Sequence, residues 1–340
     1  MEFAHRSHLS QVARLRAVAF DVLRQYPLRP ARLRLLVHAY NTTFRVDTDD
    51  GRTFALRLNT NSRKSISDLH AEMSWLAALS TDTDLRVPTP QPTVDGRLHT
   101  EVFSPEHRRN IPAALFGWLR GSDLDVDPRP ERVSEVGRAM AVLHAHAEGW
   151  ALPAGATLPA LDTVLLNTPN NLFDAHPELP PARAKVVRTA YERIENTLAT
   201  LFGSGRTQVL HADIHLANLK WYRGRLSVFD FDDCGIGMPV QDLAISAYYL
   251  RPDTRLEQAL NEGYASLRPL PVATREQFEA VVASRSLVLL NDLLVTETAE
   301  FRAILPRYAA NTALKLQHYL DAGEWRHDLP GVVPLSWETS

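Results

Sequence analysis

Apolar and polar positions alternate along Phe44-Arg45-Val46-Asp47-Thr48 and again along Thr53-Phe54-Ala55-Leu56-Arg57-Leu58, on either side of Asp49-Asp50-Gly51. Alternation with a period of two marks a half-buried strand, and Asp-Gly between two such runs closes a hairpin. An antiparallel sheet is therefore expected to begin here. The period then changes. Ile66, Leu69, Met73, Leu76 and Leu79 recur at the spacing of one helix face until Val87-Pro88-Thr89-Pro90 stops the run. Asp95-Gly96 predicts a second hairpin turn, and sheet is expected to continue over 98–102 and 113–118.

Beyond Pro130 the period is mainly helical. Val133, Val136, Met140 and Leu143 form one apolar stripe, and Val186 or Val187 with Ala190, Ile194 and Leu198 forms another. Two short strand-like stretches interrupt them, Gln208-Val209-Leu210 and residues 220–229, where Arg223-Gly224 is placed to turn a small hairpin that presents Asp230 at its end. Segments 277–291 and 301–320 read as further helices. Gly121 and the acidic, proline-bearing stretch after it mark a boundary. The pattern thus predicts an α+β chain with a sheet-bearing N-terminal lobe over 1–118 and a mainly helical C-terminal lobe over 119–326. A tail over 327–340, carrying Pro330 and Pro334, is expected to run along the surface.

Composition narrows the function classes. Of 340 residues, 45% are apolar and 23% charged, the balance of a globular protein. A net charge of −3 lacks the basic excess of a nucleic-acid binder, so no nucleic-acid partner is expected. The start, Met1-Glu2-Phe3-Ala4-His5-Arg6, shows no cationic segment before an apolar core, and Leu287-Val288-Leu289-Leu290 is too short to span a bilayer, so neither a signal peptide nor a membrane segment is expected. The single cysteine, Cys234, has no intrachain partner, which suits a reducing compartment; the expected location is cytoplasmic.

The candidate chemistry lies in His211-Ala212-Asp213-Ile214-His215-Leu216-Ala217-Asn218 and, one hairpin later, Val228-Phe229-Asp230-Phe231-Asp232-Asp233. A carboxylate and an amide five positions apart on a loop leaving a strand can receive an acceptor hydroxyl and hold a hard cation. A second carboxylate at a strand end can bridge that cation to phosphate oxygens, so the set suits phosphoryl transfer from a nucleotide. Any one of these aspartates alone is better explained as a cap, turn or surface residue; the joint spacing singles them out. Asp232 is a further metal candidate or a supporting residue. Asp233 is as well explained by a solvated turn, His215 by a structural hydrogen bond and Cys234 by packing.

These motifs resemble the aminoglycoside phosphotransferase and choline kinase-like superfamily, including its homoserine-kinase-like and stress-response-kinase-like branches. The resemblance implies a bilobal protein-kinase-like fold, with Asp213 as the catalytic aspartate, Asn218 as a metal-binding amide and Asp230 as the main Mg²⁺ ligand. Asp242, in Pro239-Val240-Gln241-Asp242-Leu243-Ala244, falls where the family supports its catalytic loop. Asn41 lies at the position of the family's nucleotide loop, Arg57 at that of its phosphate-binding cation, and Glu72 at that of the cation's ion-pair partner. Phe116 and Trp118 resemble the segment that receives adenine, and residues 136–144 the helix leading into the substrate lobe. Three departures stand out: Arg57 where many relatives carry lysine, Ala212 where His-Gly-Asp is usual, and no Gly-x-Gly-x-x-Gly run near Tyr40. Alanine fits that place readily if its backbone is ordinary and poorly if it is left-handed.

The implied reaction is transfer of the ATP γ-phosphoryl, with Mg²⁺, to a small hydroxyl-bearing acceptor such as an amino alcohol, homoserine, a sugar or an aminoglycoside. Asp123, Asp125 and Asp127 would favour a cationic acceptor, or simply form a solvated loop. A Ser/Thr protein acceptor, as in the stress-response branch, and a nucleotide-binding module without catalysis are the alternatives.

Overall fold

The computed structural model describes residues 8–38, 40–60, 64–203, 205–296 and 299–335. The chain is bilobal, dividing into one unit of residues 1–120 with 151–158 and a second of 121–150 with 159–340.

The first unit is built on an antiparallel five-stranded sheet in the order β1-β2-β3-β5-β4, formed by β1 (Pro30–His38), β2 (Thr42–Thr48), β3 (Thr53–Leu58), β4 (Thr100–Ser104) and β5 (Arg109–Gly117). Strict alternation of buried positions in β2 gives the sheet one buried face, with Phe44 and Val46 at its centre and Thr42 and Thr48 at its ends. Phe44, Val46, Phe54, Leu56, Leu58, Ile111, Ala113 and Leu115 from that face pack with Leu15, Val18, Ala19, Val22 and Leu23 of α1 (His8–Leu23). The Asp50-Gly51 hairpin forms as its residues predict, with Gly51 at φ 80°. The expected helix is α2 (Ile66–Asp82), opened by a capping box in which Ser65 and Asp68 satisfy each other's backbone N–H groups. Around Asp95-Gly96 a tight turn closes through Thr93 N–H to Arg97 O at 2.8 Å, but its flanks join no strand pair; the expected hairpin is a turn alone.

The second unit is mainly helical: α3 (Pro130–Gly149), α4 (Pro181–Phe202), α5 (Val240–Leu250), α6 (Thr254–Ala265), α7 (Arg275–Leu294) and α8 (Ala299–Ala322). Val187, Ala190, Ile194 and Leu198 of α4 meet apolar residues of α5, α7 and α8 in one core. Short strands carry the candidate loops. These are β6 (Ser122–Asp123), β7 (Gln208–Leu210), β8 (Leu219–Tyr222), β9 (Arg225–Val228) and β10 (Gly235–Gly237). β8 and β9 form the expected hairpin about Arg223 and Gly224, both at positive φ.

The expected surface tail is anchored as far as it is described, and residues 336–340 lie outside the described residues, as does the Met1–Arg6 stretch. Trp325 and Leu335 are buried in the helical core, and the Asn311 side chain brackets Val333, donating to its carbonyl at 2.7 Å and accepting its N–H at 3.1 Å. Within the tail Leu335 alone among the described residues is buried, a burial that its prolines do not foretell, while most of the segment runs along the surface. Among the described residues no helix is long and apolar enough to cross a membrane.

Candidate active site

The loop leaving β7 is held from beneath. Asp242, in the first turn of α5, accepts the backbone N–H of His211 at 3.2 Å and of Ala212 at 2.7 Å. His144 of α3 meets the same carboxylate through Nε2 at 3.0 Å, and Tyr264 of α6 meets His144 Nδ1 at 2.9 Å. Burial works against the Asp242 charge, but His144, His211 and the Ala212 N–H outweigh it and hold the carboxyl below the usual carboxylate range. The chain turns sharply over this support: Ala212 takes the left-handed conformation, φ 65°, the awkward case for an alanine in the place of glycine.

A second set of bonds ties the loop to the strand end that carries Asp230. His211 Nε2–H donates to Phe229 O at 3.1 Å while its Nδ1 accepts the Asp213 N–H at 3.3 Å. Full burial pushes the His211 pKa down, in keeping with this neutral tautomer. Phe229 N–H in turn donates to Asn218 O at 3.0 Å. Asp230 follows directly, also left-handed at φ 66°, and opens a single 3-10 turn over Phe231–Asp233 in which Asp232 is buried. Two strained backbone positions, one on each loop, therefore stand where the candidate carboxylates are presented.

The structure brings Asp213 and Asn218 into direct contact. Asn218 Nδ2 donates to both the backbone oxygen and Oδ2 of Asp213, each at 3.0 Å, which leaves the amide's Oδ1 as its acceptor end. His215 Nε2 stands 3.5 Å from Asp213 Oδ2. The remaining oxygen, Oδ1, is hydrogen-bonded and ion-paired by Arg285 of α7. Burial alone would raise the Asp213 pKa; Arg285, His215 and His211 reverse it and bring it to about 2. The carboxylate is thus ionised throughout the neutral range.

Arg285 was not among the residues expected from the sequence. It is buried on α7, its Nε donates to Tyr249 OH at 3.0 Å, and its guanidinium lies 5.5 Å from the Tyr249 ring. The available signal was a lone cation inside the buried stretch Ala280-Val281-Val282-Ala283-Ser284-Arg285-Ser286-Leu287, where a charge needs a partner.

In the first unit, Arg57 and Glu72 form a buried ion pair at 2.6 Å, and Arg57 Nε also donates to Asn59 Oδ1 at 3.2 Å. The strand register explains how Arg57 reaches α2. Ala55 pairs with Phe116 and Arg57 with Ala114, so these four share the face opposite the α1 core. The Arg57 guanidinium lies 5.4 Å from the Phe116 ring, while Trp118 is covered instead by Arg45 at 5.1 Å. Glu72 Oε1 is buried and accepts no hydrogen bond among the described residues. Asn41 is half-buried immediately before β2.

The acidic run, read from the sequence either as a draw for a cationic acceptor or as a solvated loop, carries local ion pairs. Asp123 pairs with Lys220, and Asp127 pairs with Arg129 and Arg132, each at 2.9 Å. With its end carboxylates neutralised by neighbouring cations, the run is a local ion-pair network.

The chain is similar to several known proteins. One is an amicoumacin kinase of Bacillus subtilis (strain 168), 24% identical over 233 residues that cover 68% of this chain and 67% of that protein. The solved structure of a microcompartment-associated aminopropanol kinase is 27% identical with a TM-score of 0.79, covering 92% of this chain and 99% of that one. An amicoumacin kinase solved with AMP-PNP and Ca²⁺ shares the fold, at 18% identity and a TM-score of 0.71, over 91% of this chain and 96% of that one. Residues 33–277, from β1 to the first turn of α7, match the sequence profile of one family and take in both candidate loops and the Arg57–Glu72 pair. With most of its length inside that match, the chain belongs to the Phosphotransferase enzyme family.

Proposed function

We propose that the chain is an ATP- and Mg²⁺-dependent kinase that phosphorylates the hydroxyl of a small acceptor, with an amino alcohol as the first class to test. The observation that carries this reading is the Asp213 carboxylate, ionised and held at both oxygens by Asn218 and Arg285 on a loop bonded to the strand end that carries Asp230. Its Oδ1 accepts one hydrogen bond among the described residues, which leaves a lone pair for the acceptor hydroxyl. The acceptor oxygen would bond to the γ-phosphorus as the bond to the β–γ bridging oxygen breaks. ADP would leave, and the hydroxyl proton would pass to Asp213. A carboxylate with a pKa of about 2 is a weak base, and a loose phosphoryl transition state asks mainly for orientation of the nucleophile, with proton transfer late.

The donor set fits a hard cation. Asn218 directs its amide oxygen away from Asp213, and Asp230 and Asp232 follow the strand to which the Asn218 backbone is bonded. Among the described residues no cage of three or more His, Cys, Asp or Glu side chains is preformed. That suits Mg²⁺, which is commonly held by one or two carboxylates together with substrate phosphates. When bound, the ion would neutralise charge on the phosphates. Arg57, directed by Glu72, is assigned to phosphate oxygens, with Asn41, Phe116 and Trp118 on the nucleotide side.

The amino-alcohol assignment is supported by the likeness to the aminopropanol kinase, which extends over nearly the whole of both chains. The test is Mg²⁺-dependent ADP release with a panel of amino alcohols, homoserine, sugars, aminoglycosides and a generic protein substrate. Stimulation by an amino alcohol alone supports the assignment, stimulation by the protein substrate replaces it, and ATP binding without turnover on any acceptor favours a non-catalytic module.

A further inference from the structure

Arg285 carries a consequence for how the acceptor is met, resting on the reading of Asp213 as the group that receives the acceptor hydroxyl. Removing a guanidinium from water costs several kcal/mol unless it is paired and hydrogen-bonded. Here it is paired twice, to Asp213 Oδ1 through Nη2 and to Tyr249 OH through Nε at 3.0 Å. Tyr249 is itself wedged, with its ring 4.8 Å from that of His215 and edge-on to Tyr248 at 5.1 Å. The arginine projects from the middle of α7, a 20-residue helix fixed at its start by the Thr274–Gln277 capping box. It is thus anchored on a rigid element, independent of the loop that carries Asp213.

Rotation of an aspartate about its terminal torsion is soft, so a carboxylate that must direct one lone pair at a hydroxyl needs both oxygens held. Asn218, from the same loop, holds Oδ2. Among the described residues the partner of Oδ1 comes from outside the loop, and it is Arg285. We propose that Arg285, aligned by Tyr249, is a positioning residue that fixes the plane of the Asp213 carboxylate, so that the second lone pair of Oδ1 meets the acceptor hydroxyl.

If Arg285 acts through Asp213, its loss matters only while Asp213 is a carboxylate. The test is a double-mutant cycle on the full chain, reading kcat and the KM for ATP with aminopropanol as acceptor and, in parallel, basal Mg²⁺-ATP hydrolysis with water in its place. Arg285→Gln is expected to lower kcat about 10–100-fold with little change in the KM for ATP, and Arg285→Lys to recover part of the loss. In an Asp213→Asn background the same Arg285→Gln change should cost less than about twofold. Tyr249→Phe, which leaves the buried charge pair in place, should lower kcat about threefold or more and follow the same coupling, so the test survives if Arg285→Gln fails to fold. An equal loss in both backgrounds, or full kcat in Arg285→Gln beside an impaired Asp213→Asn, would overturn the inference. Full activity of Asp213→Asn would instead remove the role assigned to Asp213, and the inference with it.

Discussion

Asp242 accepts the backbone N–H of Ala212 at 2.7 Å, and Ala212 meets it in the left-handed conformation, φ 65°. The loop that presents Asp213 is therefore shaped by a carboxylate on α5 acting on the backbone, at a position where any side chain is strained. Ala212 is also fully buried, against Leu161, Leu210 and Ile245. Glycine would relieve the strain and lose a packed methyl group. Ala212→Gly should thus shift stability by no more than about 1 kcal/mol, whereas the β-branched Ala212→Val should lose about 3 kcal/mol. Thermal unfolding of the two variants checks this; a valine as stable as the glycine would refute the strained turn.

The same carboxylate links stability to pH. Because the folded-state pKa of Asp242 lies below its ordinary value, its contribution is fully present above the unfolded pKa and is lost as pH falls through the folded one. Stability should therefore decline below about pH 4, and Asp242→Asn should flatten that acid limb while losing about 2–4 kcal/mol near neutrality. Urea unfolding of both proteins from pH 3 to 7, taken as an approximate window, measures this; parallel acid limbs would show that Asp242 is not a source of the linkage.

Two glycines set the contact that carries His144 and Tyr264 to Asp242. A Cβ on Gly263 of α6 would stand 1.9 Å from Ser134 O of α3, and one on Gly137 would stand 2.0 Å from Leu260 O. Both obstacles are backbone and cannot swing away. Gly263→Ala should destabilise by about 3 kcal/mol or more, while Gly149→Ala, with open space around its Cβ, should be neutral or mildly stabilising. Equal melting temperatures for the two variants would contradict the close approach.

In the first unit the Arg57–Glu72 pair is the sensitive point. Glu72→Ala leaves a buried guanidinium without its carboxylate and should cost about 3–5 kcal/mol. Arg57→Lys keeps the charge but cannot hold Glu72 and Asn59 at once, and should raise the KM for ATP about tenfold with a smaller change in stability. Calorimetry with steady-state kinetics separates the two effects; an unchanged KM in Arg57→Lys would remove Arg57 from the nucleotide site.

What could be read in the sequence was local. Asp50-Gly51 and Arg223-Gly224 announce their hairpins because a tight turn needs a residue that accepts positive φ, here Gly51 and Gly224, and the stripe from Ile66 to Leu79 is one face of α2. The strand β1 was not foreseen. Its alternation is broken by Leu35-Leu36-Val37, and two register shifts against β2 interrupt its pairing. The burial of Leu335 was hidden by the prolines before it. Arg285 was missed because its partner lies 72 residues away, and a pairing at that distance leaves no mark in local periodicity. The pairing of the Asp123–Asp127 run was hidden for the converse reason. Spacing brings like charges into view, but Lys220 reaches Asp123 only through the pairing of β6 with β8.

The most direct test of the central claim follows labelled γ-phosphoryl from Mg²⁺-ATP to aminopropanol with the wild-type chain and with Asp213→Ala. Label should accumulate in the acceptor with the wild type, and the rate should fall by at least about a hundredfold in the variant while ATP still binds. Transfer by Asp213→Ala at the wild-type rate would contradict the role assigned to this carboxylate.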